Sequence, residues 1–225
     1  MHARKPDVKL RMVVFDMDGV LVDFKSSWQF IHEAFGASNM ENVKRYVEGK
    51  ITYGELMRRD IALWGRVHID KIRSILSEAP LMPGATEAVT CLKMARLKTA
   101  LISAGVSVLA DKLRTILGLD HVFANKILTD RQGFLTGEGE ETVSLLDKLK
   151  VLNKLVVTED ISLKECAVVG DSSYDIPMFK EVGLSIAFNT NETNVKKAAD
   201  VVVKKKDLRE ILPYLVERSE RSRAK

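Results

Sequence analysis

Asp16 and Asp18 stand two residues apart, followed at once by Gly19, and they close the apolar run Met12-Val13-Val14-Phe15. A second acidic cluster, Gly170-Asp171-Ser172-Ser173-Tyr174-Asp175, closes another apolar run that begins at Cys166. Carboxylates aimed into one crevice repel each other and need a compensating charge. A hard divalent cation such as Mg²⁺ supplies it through oxygen ligands. At a third run end, Ser103-Ala104-Gly105 adds a hydroxyl and a glycine, and lysines lie nearby in the chain. Carboxylates that hold Mg²⁺, a lysine, and N–H donors at a helix start are the parts that bind and activate a phosphoryl group. Each part has an ordinary alternative. Asp and Gly are common turn residues, a serine caps helices, and a lysine among other lysines lies on a solvated face.

These groups meet only if the strands that carry them run parallel and end on one side of a sheet, where open α/β sheets bind their ligands. The rest of the chain has the pattern for it. Apolar runs at residues 98–104, 122–124, 166–170, 184–188 and 201–203 alternate with helical periodicity at 85–95, 108–117, 141–152, 176–181 and 192–199, and residues 208–218 close the chain. Residues 126–137 read as a hairpin turning near Asp130–Gly133. The expected class is α/β, a parallel sheet with helices on both faces. Residues 23–81 break the alternation. Trp28, Ile31 and Phe35, then Val43 and Val47, Leu56 and Ile61, and Ile69, Ile72 and Leu76 recur at helical spacing, with Gly36, Gly49 and Gly65 as helix ends. That stretch is expected to be a small all-helical insert (residues 23–81) in a core of residues 1–22 and 82–225. Trp28 and Trp64 are expected in its interior, with one of them lining a substrate pocket as the alternative.

The 225 residues carry 35 Lys and Arg against 31 Asp and Glu, a net charge of +4, and 46% apolar content. The charge excess sits at residues 2–5 and 218–225, ends expected to fray, so a clustered basic face for nucleic acid is not expected. No apolar run reaches a membrane span, and the polar start predicts no secretory signal. Cys91 and Cys166 read as core thiols, and the expected location is the cytoplasm. His2, His32, His68 and His121 lack metal-ligand spacing and are expected at the surface or beside a satisfying partner. Asn125, at the end of the run 122–124, has no evident role.

The motifs Asp16-Met17-Asp18-Gly19-Val20, Ser103-Ala104-Gly105, a later lysine and Gly170-Asp171-Ser172-Ser173-Tyr174-Asp175 together resemble the haloacid dehalogenase superfamily, in its phosphoserine-phosphatase-like branch with a helical cap. The resemblance extends through Ile176-Pro177-Met178-Phe179 and Asp207-Leu208-Arg209-Glu210. It implies a Rossmannoid core and a Mg²⁺-dependent phosphomonoester hydrolase working through an aspartyl phosphate. Asp16 would be the nucleophile and Asp18 the general acid and base. Asp16, Asp18 (through its backbone carbonyl) and Asp171 would hold the metal, with Asp175 behind them. Ser103, Ala104, Gly105 and Lys148 would bind the phosphoryl oxygens, with Lys150 as the alternative lysine. The substrate would be a small phosphorylated metabolite, O-phosphoserine as the single best choice, and the protein a monomer or homodimer. Another small phosphate, or phosphoryl transfer or mutase chemistry on the same core, remains open. Asp18 argues against dehalogenation, and the insert against a receiver domain. The family's cap glutamate and cap arginine fall on Lys25 and Asp60, opposite in charge, with Arg58 and Arg59 near the second, and Tyr174 replaces a usual asparagine. Lys25, Arg58, Arg59, Asp60 and Tyr174 are therefore the specificity candidates.

Overall fold

The computed structural model describes residues 9–220. Residues 2–5, with His2, and 221–225 of the two basic ends lie outside the described residues. The elements are β1 (Met12–Phe15), α1 (Ser27–Ala34), α2 (Met40–Val47), α3 (Tyr53–Ala62), α4 (Ile69–Ser77), α5 (Ala85–Met94), β2 (Lys98–Val106), α6 (Ser107–Leu117), β3 (His121–Thr129), β4 (Leu135–Glu140), α7 (Lys148–Thr158), β5 (Cys166–Gly170), α8 (Ile176–Glu181), β6 (Leu184–Phe188), α9 (Thr193–Ala198), β7 (Val201–Val203) and α10 (Leu212–Glu220).

The seven strands form one sheet in the order β4-β3-β2-β1-β5-β6-β7. All neighbours are parallel except β3 and β4, which are antiparallel. Side chains alternate across a strand, and both faces here are covered. Val13 and Phe15 pack with Leu101 and Val169 on one side, while Met12 and Val14 pack with Ile102 and Val168 on the other. Burial on both faces is why these strands read as continuous apolar runs. The edge hairpin turns where expected, and Asp130 Oδ1 accepts the backbone N–H groups of Gln132 and Phe134 at 2.9 and 3.0 Å.

Helices α1 to α4 all fall between β1 and α5. Ser26 and Thr52 cap α1 and α3, each side chain accepting a backbone N–H one turn on. The chain leaves and re-enters the sheet region at adjacent points. Val22 and Leu81 form an isolated bridge, and Met82 N–H donates to Leu21 O at 2.9 Å. Inside the helices, Trp28 and Trp64 stack at 5.7 Å between ring centroids. Ile31, Ile61, Ile72 and Leu76 belong to the same buried cluster as Phe15 and Leu101, so the helical layer and one sheet face share a core.

Several boundaries differ from the sequence reading. No helix spans 141–152: α7 begins at Lys148, capped by Asp147, whose side chain accepts Lys150 N–H at 3.3 Å. Residues 142 and 143 are held instead by Asn125. The strand expected at 122–124 is longer, because its second half pairs with β4. β2 continues to Val106, but its register with β3 shifts between Ile102 and Val106. That shift takes Ser103–Gly105 out of the regular ladder. Cys166 is buried as expected, whereas Cys91 is exposed, because its position on α5 faces away from the sheet. Among the described residues no helix is long and apolar enough to cross a membrane.

Candidate active site

β1 and β5 end side by side, and their next residues are Asp16 and Asp171. Asp16 N–H donates to Val169 O at 3.0 Å, which continues the ladder one residue past β1 and fixes where its carboxylate emerges. The chain must then turn sharply. Gly19 has φ +78°, and a Cβ there would overlap the Asp171 carboxylate. The glycine of the first motif thus serves both backbone conformation and close approach of the second motif.

Lys148, the first residue of α7, is buried between the two motifs. Its Nζ donates to Asp16 Oδ2 at 2.7 Å and to Asp175 Oδ1 at 2.8 Å. Lys150 is exposed, so the structure brings Lys148 and not Lys150 to the carboxylates. Asp16 Oδ1 accepts Met17 N–H at 2.7 Å. Asp175 Oδ2 accepts the N–H groups of Asp171 and Ser172 and the Ser172 hydroxyl. With both oxygens engaged, Asp175 orients the lysine and the loop. Ser103 is buried, and its Oγ accepts Gly105 N–H at 3.0 Å.

Asp18 faces the helical layer. Its Oδ2 accepts the N–H and the hydroxyl of Ser27 at 2.9 and 3.0 Å, while its buried Oδ1 has no hydrogen-bond partner. Burial raises the Asp18 carboxyl to about 6, against the two bonds from Ser27 that lower it. Burial also pushes Asp16 and Asp171 upward, opposed by Lys148 at the first and by Lys25 at the second. Burial alone would lower the Lys148 ammonium, but Asp16 and Asp175 outweigh it and hold it above its ordinary value.

Asp16, Asp171 and Asp175 are all buried, and each offers an oxygen within 4.8 Å of the others. Such an all-oxygen set suits a hard divalent cation. The donor set fits in a second respect: Lys25 Nζ, on a side chain 70% exposed, reaches Asp171 Oδ2 at 2.5 Å, so a positive charge already stands against this carboxylate.

A cavity of about 700 Å³ opens over these groups toward α1, α2 and α3. Lys25, Asp60 and Tyr174 line it. Arg58 and Arg59 are not brought to it. Arg58 pairs with Glu138 and Glu55, and Arg59 with Glu55, on the outside of α3. Asp60 is buried and accepts from Asn39 at 2.7 Å and Asn42 at 3.2 Å, with His32 Nε2 at 3.4 Å. His32, read as isolated, is thus an interior residue, and its Nδ1 accepts Trp64 Nε1–H at 2.9 Å. His68 caps α4, and His121 pairs with Glu159 at 2.8 Å.

Three residues of the site, Tyr53, Ser27 and Asn125, were not assigned from sequence, and for Trp28 the alternative of a pocket-lining residue holds. Trp28 lines the cavity as well as packing on Trp64, and Tyr53 and Ser27 give no motif signal. Asn125 stood out as a polar residue ending an apolar run. It is fully buried, donates to Ala104 O and Val143 O, and accepts the N–H groups of Thr142 and Val143.

Comparison with known proteins agrees with this geometry. A family model for haloacid dehalogenase-like hydrolases matches residues 10–183. The phosphoserine phosphatase of Methanocaldococcus jannaschii is 32% identical over 209 residues, covering 92% of this chain and 98% of that enzyme. That of Wolinella succinogenes is 31% identical over 92% of this chain and all of its own. A solved phospho-aspartyl intermediate analogue of phosphoserine phosphatase superposes with TM-score 0.78 at 32% identity, over 92% of this chain and 99% of that one. With these strand-end motifs in place along its length, the chain belongs to the haloacid dehalogenase-like hydrolases.

Proposed function

We propose that the protein hydrolyses a small phosphomonoester, O-phosphoserine, to the alcohol and inorganic phosphate by way of an aspartyl phosphate. The observation that carries this reading is the buried Lys148 between Asp16 and Asp175, facing Asp171 and Ser103 across one crevice. Its substrate follows from the phosphoserine phosphatases that match nearly the whole chain. Residues 23–81 act as the cap that covers the leaving group, as lids do.

In the first step an Asp16 oxygen attacks phosphorus in line, and the bond to the leaving oxygen breaks. Asp18 gives that oxygen its proton. Its raised carboxyl can carry a proton near neutral pH, and Oδ1 is the oxygen without a partner. In the second step Asp18 takes a proton from water as the water attacks phosphorus, which frees phosphate and restores the Asp16 carboxylate. Lys148, Ser103 and the Ala104–Gly105 backbone hold the phosphoryl oxygens, and Lys148 offsets their repulsion with Asp16. Asp16, the Asp18 carbonyl and Asp171 would hold Mg²⁺, with Asp175 supporting from behind; the ion supplies charge neutralisation to the phosphoryl group.

The test is phosphate release from a panel of phosphorylated metabolites at saturating Mg²⁺. Phosphoserine is expected to lead. Release from para-nitrophenyl phosphate but not from phosphoserine would refute the substrate, and release from none would refute the hydrolase reading.

Two smaller effects are expected in the same assay. Asp18→Asn removes the proton donor and acceptor, so turnover falls roughly a hundredfold or more. Rapid-quench trapping should then show aspartyl phosphate accumulating from an activated ester, and unchanged dephosphorylation would count against the role. The substrate's carboxylate needs a cation; Arg58 and Arg59 are turned outward and Lys206, which also lines the cavity, is paired with Asp23 at 2.6 Å, so Lys25 is the candidate. Lys25→Ala should lower kcat/KM for phosphoserine about tenfold, or about 1.4 kcal/mol. Hydrolysis of para-nitrophenyl phosphate should change much less. Equal losses on the two esters would assign Lys25 to the metal-side carboxylate Asp171 instead.

A further inference from the structure

The carbonyl oxygen of Ala104 receives three hydrogen bonds. Tyr53 donates its hydroxyl at 2.7 Å, Asn125 its Nδ2 at 3.0 Å and Trp28 its Nε1 at 3.1 Å. A carbonyl has two lone pairs, so this one is more than satisfied. Two of the donors come from the helical layer, Trp28 in α1 and Tyr53 at the start of α3, and the third comes from β3. Ala104 and all three donors are buried. Burial also keeps the Tyr53 phenol above its ordinary value, so it is a proton donor throughout the neutral range.

The acceptor belongs to the loop that the Proposed function gives to phosphate. In a trans peptide the carbonyl and the following N–H point in opposite directions. Fixing Ala104 O therefore fixes the Gly105 N–H, which is turned toward Ser103 Oγ. The loop has no slack behind it. A Cβ on Gly105 would overlap the Met17 side chain and the Ser27 hydroxyl, and Ser27 Oγ also accepts Val106 N–H at 3.2 Å.

We propose that the Ala104 carbonyl is where the helical layer registers on the phosphate-binding loop, and that Tyr53 and Trp28 are positioning residues that set the Ala104–Gly105 peptide plane for the transferring phosphoryl group. The inference rests on the phosphatase reading. With the helices seated, the peptide is held from three sides. With them lifted away, only Asn125 remains, and the loop loses its orientation. Phosphoryl transfer is thereby tied to the covered state, in which water is excluded and the leaving group is enclosed.

Tyr53→Phe deletes only the hydroxyl and leaves Ala104 O with two donors, so the fold survives. Removing a donor that contacts a developing oxyanion directly costs roughly a hundredfold or more, and an indirect positioning bond should cost about tenfold in kcat. Orthovanadate, which mimics the transferring phosphoryl group, should inhibit more weakly by a like factor. KM and inhibition by inorganic phosphate should move less than about threefold. Trp28→Phe should show the same split. Hydrogen exchange of the backbone at residues 103–106 should speed up in both variants relative to the native protein. A lowered melting temperature with kcat and vanadate inhibition unchanged would overturn the proposal, since the hydroxyl would then serve the fold alone. If the native protein hydrolyses no phosphomonoester, the phosphatase reading fails by itself, and exchange at 103–106 still decides: unchanged protection in both variants overturns the registration of the helices on Ala104.

Discussion

Asp16→Asn should reduce turnover at least about a thousandfold on every phosphomonoester while leaving the fold in place. An amide is a far poorer nucleophile than a carboxylate, and no other group replaces it within the site. Asp171 and Asp175 are the nearest carboxylates. Asp175 has both oxygens bound, to Lys148 on one side and to the loop backbone and Ser172 on the other. Asp171 lies on the neighbouring strand end and cannot take the Asp16 geometry without moving β5. Stability should change little, because two costs oppose each other. The variant loses the charged partner of Lys148 at 2.7 Å, yet the amide oxygen still accepts from Lys148 or from Met17 N–H, and a buried charge disappears from among three. The measurement is phosphate release by protein freed of contaminating phosphatase, alongside its melting temperature and its near-ultraviolet circular dichroism. Activity within tenfold of the native protein, with the fold intact, would place the nucleophile elsewhere.

The strand-end carboxylates were legible in the sequence because strands buried on both faces read as continuous apolar runs, and a carboxylate that closes such a run stands out. Val13 and Phe15 on one face and Met12 and Val14 on the other make a continuous apolar run, and a carboxylate directly after it stands at the strand end. The helices of residues 23–81 were legible for the opposite reason. Their apolar residues recur at helical spacing with no strand pattern among them, and α1 to α4 fall where that spacing lies. Residues 141–147 failed because helical composition says nothing about a competing partner. Asn125, eighteen positions away from Val143 in the chain, takes the backbone N–H groups of Thr142 and Val143, and α7 can start only after the Asp147 cap. The cap arginines failed for a related reason. Arg58 and Arg59 share a helix with Asp60, but successive residues on a helix face different ways, so Asp60 reaching the cavity turns both arginines toward Glu55 and Glu138. The three donors on Ala104 O come from α1, α3 and β3. No spacing in one dimension records their meeting.

Lys148→Met should be the variant that damages both stability and catalysis. The ammonium is buried and makes charge-assisted bonds to Asp16 and Asp175. Methionine fills similar volume and rotates as freely, so packing is nearly preserved and the loss is electrostatic. Two carboxylates then remain buried without their cation, beside a third, Asp171. Breaking a buried pair by removing one partner costs about 3–5 kcal/mol, and at this chain length that lowers the melting temperature by roughly 10 °C. The effect should be largest in metal-free buffer. Added Mg²⁺, which Asp16 and Asp171 would hold, should restore part of the stability, since a ligand of the folded state stabilises it by mass action. It should not restore turnover. The phosphoryl oxygens would have lost their buried ammonium, and the repulsion between phosphate and Asp16 would stand uncorrected, an effect of at least about a hundredfold in kcat. The two readouts separate the lysine's roles: thermal melting with and without Mg²⁺ reports its pairing with Asp16 and Asp175, and steady-state rates at saturating Mg²⁺ report its hold on the phosphoryl group. A variant whose melting temperature and rate both stay within error of the native values would mean that Lys148 lies on a solvated helix face, and the assignment of the phosphate lysine would return to Lys150.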